Sequence, residues 1–381
     1  MSTQHVETLI IGAGQAGLAT GYHLQRQGRE FLIVDANVRI GDNWRCHYDS
    51  LKLYSPVKYD GLPGMPFTGD PWHFPGKDEV ADFLQAYAAE FDLPVRLRTR
   101  VEHLEARDGG GFGFVAHLGA DVVECENVVL ATGSFGRVPR VPELAERLDP
   151  AIRQLHSAEY KNPAQLQPGT TLVVGASHSG YDIAFEVGAD RPTILVGPDR
   201  GNIPLEWNTR RFKMALPVII FMWKHVLTRR TPMGRKEMQK VRHAGGPTTR
   251  VKPHHLAERG VDRLQEKVTD VSSDGRPVLA DGRVLDVANV IWATGFRRDL
   301  DWVGAPLPME DGWPVEHRGV VESVPGLYFC GLAFQYAFGS MVLPGVGRDA
   351  AYVARMIGAR RRAKTPVATH RTSRDDEHRL V

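Results

Sequence analysis

Cysteine is nearly absent. Cys46, Cys125 and Cys330 stand far apart in 381 residues, with no CxxC and no close pair. That disfavours a zinc ribbon and a local redox disulfide. A sparse, odd count predicts a reducing, cytoplasmic setting. Long apolar runs are absent too. The longest, Met214–Trp223, falls well short of the roughly 20 apolar residues that a spanning helix needs. Met1–Val6 is polar and lacks the apolar stretch of a signal peptide. Neither charge sign dominates: 47 Lys and Arg stand against 45 Asp and Glu, a net charge of +2. A whole-molecule nucleic-acid binder is therefore excluded as the leading reading. No HExxH or HxxxH pattern occurs, and the adjacent His254 and His255 lie in a basic stretch, so no metal centre is expected.

Glycine is plentiful, 39 residues, and it clusters where a backbone must turn tightly. Glu7–Ile11 has the composition of a short buried strand. Gly12-Ala13-Gly14-Gln15-Ala16-Gly17 follows at once, then a helical stretch to about Gln27, and then a second strand, Phe31–Val34, ending in Asp35. GxGxxG alone is a weak signal; between a strand and a helix, with an acid closing the next strand, it is a dinucleotide fingerprint. The first glycine makes the turn, the second lets a pyrophosphate approach, and the third packs helix on strand. The helix start offers free N–H groups to phosphates. Asp35 would accept from the ribose hydroxyls.

The cycle repeats. Thr171–Val174 predicts a strand, Gly175-Ala176-Ser177-His178-Ser179-Gly180 a second phosphate turn with Ser177 in the middle position, and a helix runs on to about Gly188. The next strand, Thr193–Val196, ends in Gly197-Pro198-Asp199-Arg200. No acid closes it directly and Arg200 is near, which favours a 2′-phosphate and hence NADPH over NADH. Two cycles imply two dinucleotides, FAD and a nicotinamide cofactor, and an α/β fold of two Rossmann-like domains. Between the cycles, periodicity predicts a helix over about Asp78–Phe91. A meander spans Val95 to Leu130, with turns at Asp108–Gly111 and Gly119–Ala120. Later strands begin near Val268 and reach Val290–Ile291 and Leu327–Cys330. A last helix covers about Gly347–Ile357, and the charged stretch from Arg360 is expected to be a disordered tail.

The segment from Arg210 to Lys252 carries 12 Lys and Arg against one acid, Glu237. Three readings stay open for it: a helical cover over a substrate tunnel, peripheral contact with an anionic membrane surface, or an anionic partner. Pro217 argues against one long straight helix.

Taken together, Gly12–Gly17, Gly41-Asp42-Asn43-Trp44-Arg45, Tyr48-Asp49-Ser50-Leu51-Lys52-Leu53, Gly175–Gly180 and the turns Ala131-Thr132-Gly133 and Ala293-Thr294-Gly295 resemble the flavin-containing monooxygenases, especially small bacterial and YUCCA-like members. The resemblance runs from about Glu7 to Ile357. It implies that the nicotinamide domain is inserted in the FAD domain: residues 1–155 and 291–358 for FAD, 156–290 for NADPH with the basic insertion at 201–255, and a tail at 359–381. It implies cofactor contacts at Gly12, Gly14, Gln15, Ala16, Gly17, Asp35, Asn43, Trp44, Ser55, Val101, Thr132 and Gly133, and at Gly175, Ser177, His178, Ser179, Gly180, Arg200, Thr294 and Gly295.

The implied reaction uses dioxygen and a small organic substrate, one oxygen atom passing through a C4a-(hydro)peroxyflavin to nitrogen, sulfur or a carbonyl carbon. Of the family's FxGxxxHxxxY/F pattern, His156 and Tyr160 are present, and Pro150 and Ile152 replace the Phe and Gly. Where many members carry Asn beside the flavin, this chain has Tyr54, the candidate catalytic residue. These departures keep a second reading open: an NAD(P)H oxidoreductase or oxidase passing electrons to a quinone, a protein or dioxygen. A third is a non-catalytic flavoprotein sensor.

Overall fold

The structure, a computed structural model, describes residues 3–107, 113–134 and 138–364. Two sheets organise it. The first places strands in the order Val95–Arg96, Phe31–Val34, Thr3–Ile11, Asp121–Leu130, Phe114–Leu118 and His103–Ala106. Thr3–Ile11 pairs in parallel with both Phe31–Val34 and Asp121–Leu130. Leu327–Phe329 joins Asp121–Leu130 in parallel at Val128–Leu130, beyond the point where the antiparallel meander ends.

Strand alternation sorts the core. Ile10 and Ile33 face helices Gln15–Arg26 and Leu343–Lys364, where they meet Leu18, Leu24, Val353 and Ile357. Leu9, Ile11 and Val34 face the other way, toward Leu104, Phe114 and Trp313. Both faces are covered, which is why these parallel strands have continuous apolar sequences.

The second sheet is wholly parallel, in the order Arg153–His156, Asn289–Trp292, Thr171–Val174, Thr193–Val196 and Val261–Leu264. Val173, Leu195 and Ile291 pack on one side with Ile183 and Val187 of helix His178–Val187. Leu172, Val196, Val290 and Trp292 fill the other side with Leu279. This sheet is nested within the first in chain order. The chain leaves the first sheet after Leu130, enters the second at Arg153, leaves it after Trp292 and returns at Leu327.

Four expectations need correction. Arg153–His156 and Asn289–Trp292 are both strands of the nested sheet, so boundaries at 155 and 290 each cut a strand. Val261–Leu264, ahead of the strand expected near Val268, closes the sheet edge; its VDRL sequence mixes charge with apolar residues and hides it. The last helix begins at Leu343 and continues to Lys364, so 359–364 are helical despite their charge, arginine and lysine being good helix formers. Residues 365–381 and the turn expected at Asp108–Gly111 lie outside the described residues.

The basic insertion forms helices Arg210–Phe221, Pro232–Ala244 and Pro253–Glu258. Pro217 sits inside the first of these, and a π turn over Met222–Val226 ends it.

Candidate active site

Each glycine turn is built the same way. Gly12 adopts φ +111° and Gly175 φ +114°. A Cβ on Gly12 would stand 2.6 Å from the Ala131 carbonyl oxygen, and one on Gly175 2.3 Å from that of Ala293. A Cβ on Gly17 would meet the Gly12 oxygen at 1.9 Å, and one on Gly180 the Gly175 oxygen at 1.7 Å. Each turn therefore closes on its own helix and on its own Ala-Thr-Gly turn. The two cycles are structural equivalents, down to Gly133 at φ +82° and Gly295 at φ +79°.

The first turn opens on a small cleft walled by Gly12, Asp35, Thr99, Val101, Thr132 and Trp302. Space for a Cβ on Gly14 is open, with no atom within 4 Å. Asp35 accepts from Ala13 N at 2.7 Å and from Asn37 N at 2.8 Å, which fixes its carboxylate at the cleft wall. Gln15 donates through Nε2 to the Met341 carbonyl at 3.2 Å, and its Oε1 is buried without a partner. A close glycine cradle, a fixed carboxylate and an orphaned amide oxygen fit a dinucleotide whose ribose and phosphates need those contacts.

Ala16 is buried beside Gly331, whose Cβ would lie 2.8 Å from that of Ala16. Trp44 is half-buried against this core, its ring edge-on to His47, while Asn43 on the same short helix is exposed. The Ser55 hydroxyl is turned away to Asp60, donating at 2.6 Å. Asp60 is buried and its other carboxylate oxygen has no partner. Burial pushes that carboxyl up to about 7, against the pull of the Ser55 bond.

At the second turn Ser177 caps helix His178–Val187 without a side-chain bond to it. The basic insertion folds back over it: a Cβ on Gly245 would lie 2.5 Å from the Ser177 Oγ. Thr294 donates to the Arg140 carbonyl, and Arg140 N donates to Gly295 at 2.9 Å. His156 has both ring nitrogens engaged: Nε2 donates to the Gly295 carbonyl at 3.0 Å and Nδ1 accepts from Ala158 N at 3.1 Å. It holds the domain crossing in place and has no nitrogen left for acid–base work. Asp199 accepts from Gly201 N at 2.9 Å, and Arg263 pins the strand end by donating to Gly197 O at 2.6 Å. Arg200 is left exposed at the mouth of the turn.

Tyr54 belongs to the second turn's surroundings. Its ring lies 4.5 Å from that of His178 and edge-on to Trp207 at 6.1 Å. Its hydroxyl donates to Asp182 at 3.3 Å, beside Tyr48 at 3.1 Å. Arg250 grips the same carboxylate through Nε and Nη2, both at 3.1 Å, and donates to the Ser50 carbonyl at 2.9 Å. This network joins the first domain's loop, the second turn's helix and the basic insertion. It commits the Tyr54 hydroxyl proton to Asp182. Burial pulls the His178 imidazole down to about 4, so it is neutral at pH 7.

Sequence reasoning missed Asp182, Arg250 and Asp60. An acid at the middle of a helix otherwise rich in buried apolar residues was the available signal for Asp182.

All three thiols are free. Cys46 is exposed, and burial pushes Cys125 and Cys330 up to about 12, so neither buried thiol supplies thiolate at neutral pH. Glu206, His254 and His255 bring ligand atoms within 4.8 Å of one another. Lys252 already neutralises Glu206 at 2.9 Å, and its N–H donates to His255 Nδ1 at 3.3 Å, which keeps Nε2 protonated. Among the described residues no helix is long and apolar enough to cross a membrane.

Residues 9–199 match the family model for pyridine nucleotide-disulphide oxidoreductases. A CzcO-like oxidoreductase of Geobacillus kaustophilus is 40% identical over 354 residues, covering 92% of this chain and 98% of that protein. The probable indole-3-pyruvate monooxygenase YUCCA3 of Arabidopsis thaliana is 27% identical, covering 95% of this chain and 90% of its own length. The solved flavin-containing monooxygenase from Stenotrophomonas maltophilia superposes with a TM-score of 0.71 at 26% identity, covering 94% of this chain and 99% of that one. Twin glycine turns in two nested sheets and relatives aligned over nearly the whole length lead to one assignment: the chain belongs to the pyridine nucleotide-disulphide oxidoreductases and, among them, to the flavin-containing monooxygenase family of flavin-dependent enzymes.

Proposed function

We propose that this protein is an FAD-dependent, NADPH-using monooxygenase that transfers one oxygen atom of dioxygen to nitrogen, sulfur or a carbonyl carbon of a small organic substrate. The observation that carries the reading is the structural equivalence of the two glycine turns, each closed on its own Ala-Thr-Gly turn. One such site binds one dinucleotide; two call for a flavin and its reductant. In this reading the first sheet's domain holds FAD. Its phosphates lie at the N–H groups of helix Gln15–Arg26, its ribose hydroxyls donate to Asp35, and Val101, Thr132 and Gly133 line its cleft. The nested domain holds NADPH at Gly175–Gly180, and Arg200 pairs with the 2′-phosphate.

FAD, when bound, supplies the hydride acceptor and the ring that activates dioxygen. The protein's own part is to position and to exclude water. Phe74, Trp207 and Phe212 form an aromatic wall next to Tyr54, and the Asp182 network holds that wall's neighbours in place. No dithiol is placed to relay electrons, since the three cysteines are single and two are buried. Three free thiols also fit a reducing, cytoplasmic setting.

The commitment of Tyr54 to Asp182 favours one second reading, a reductase or oxidase that inserts no oxygen. The test is NADPH oxidation by the flavin-loaded protein under labelled dioxygen, with a panel of amines, sulfides and ketones. A product carrying one labelled oxygen atom is expected. Stoichiometric peroxide, with no labelled product across the panel, would establish the second reading.

A further inference from the structure

Helix Arg210–Phe221 has two apolar faces. Phe212, Leu216 and Ile220 are buried and seat the helix with Phe74 and Trp207. Met214, Val218 and Phe221 point the other way and are 71%, 61% and 58% exposed. At helical spacing these three fall within an arc of about 60°, so they form one stripe. Arg210 and Arg211, both exposed, flank its N-terminal end, and Pro217 lies exposed along it.

The insertion's positive charge is divided in two by the structure. Arg229 and Arg242 turn inward to Glu316, Arg250 to Asp182 and Lys252 to Glu206, while Lys240 pairs with Glu237. Arg210, Arg211, Arg230, Arg235 and Lys236 remain exposed, without an acidic partner among the described residues. An apolar stripe beside exposed arginines, with acid nearly absent from the segment, has one complementary surface: an apolar layer under a film of negative charge.

We propose that this face docks on an anionic lipid bilayer, with helix Arg210–Phe221 lying in the plane of the headgroups. Twelve residues with an internal proline cannot cross a bilayer, but they can lie on one. A second copy of the chain is the competing occupant of the stripe, and the test below separates the two.

The test is co-sedimentation of the flavin-loaded protein with phosphatidylcholine vesicles, with and without phosphatidylglycerol, at low and high salt. We expect pelleting with the anionic vesicles only, falling as salt rises. Val218→Glu and Phe221→Glu should each weaken it by about tenfold or more, with flavin absorbance and thermal midpoint unchanged because both side chains are exposed. Arg210→Glu with Arg211→Glu should remove the preference for anionic lipid. No pelleting with anionic vesicles, equal pelleting with neutral ones, or binding indifferent to Val218→Glu would overturn the proposal. So would a concentration-dependent dimer that Val218→Glu dissolves while vesicles pellet nothing; that result would assign the stripe to self-association.

Discussion

A half-buried imidazole and a buried carboxyl give this protein opposite responses to pH. His178 titrates near 4 when folded against an ordinary 6.5. Between those values the unfolded chain binds the extra proton, so stability rises with pH, by about 3 kcal/mol at most. Asp60 titrates near 7 when folded against an ordinary 3.8. Over that range the folded chain binds the extra proton, so stability falls as pH rises, by about 4 kcal/mol at most. In the intact protein the two slopes largely cancel between about pH 4 and 6.5. Relative to it, Asp60→Asn should tilt the curve of unfolding free energy against pH upward, and His178→Gln should tilt it downward. Urea unfolding of the ligand-free protein at several pH values measures both. Curves parallel to that of the unmodified protein would show that the two groups titrate normally.

Arg200 makes a separate case. The acid next to it in sequence, Asp199, is occupied by Gly201 N, so the guanidinium is available to a 2′-phosphate. Losing one charge-assisted contact costs about 1.5–3 kcal/mol. Arg200→Ala should thus raise the Michaelis constant for NADPH by about tenfold or more and leave that for NADH nearly unchanged. Equal loss with both cofactors would take Arg200 out of the site.

At the scale of the element, the twin turns were legible because backbone geometry leaves a mark on composition. Only glycine survives where a Cβ would meet a carbonyl oxygen at 1.9 Å or 1.7 Å. The short parallel strands announced themselves as unbroken apolar runs. The Asp182–Arg250 pair left no such mark. Its members are 68 residues apart, and a basic stretch does not show which of its arginines turns inward. Val261–Leu264 stayed hidden because an edge strand tolerates charge on its open side.

The equivalence of the turns also predicts independence. Gly180→Ala should force the second helix away from its strand and weaken NADPH by about tenfold or more, with flavin absorbance retained. Gly17→Ala should do the reverse and release flavin during purification. Flavin loss in Gly180→Ala, read from the absorbance ratio, would mean that the two turns are mechanically coupled.

Over the whole molecule, the nested domain is tied down at several places, among them Asp49, which Lys161 and Asn162 hold. Tyr48, Tyr54 and the Ser50 carbonyl bind it through Asp182 and Arg250. Arg229 and Arg242 reach from the insertion to the buried Glu316 of the first domain's returning segment. The nesting was inferred from resemblance, since nothing in spacing alone says that a chain will return to a sheet it left. The crossings themselves run side by side: Pro139 pairs with Phe296 and Val138 with Arg297, antiparallel. Entry and exit thus share a single two-stranded ribbon. Such a ribbon resists stretching and sideways bending more than torsion, so it acts as a swivel. Motion of one domain against the other is then expected as a rotation about that axis, one that the Asp182 and Glu316 contacts restrain.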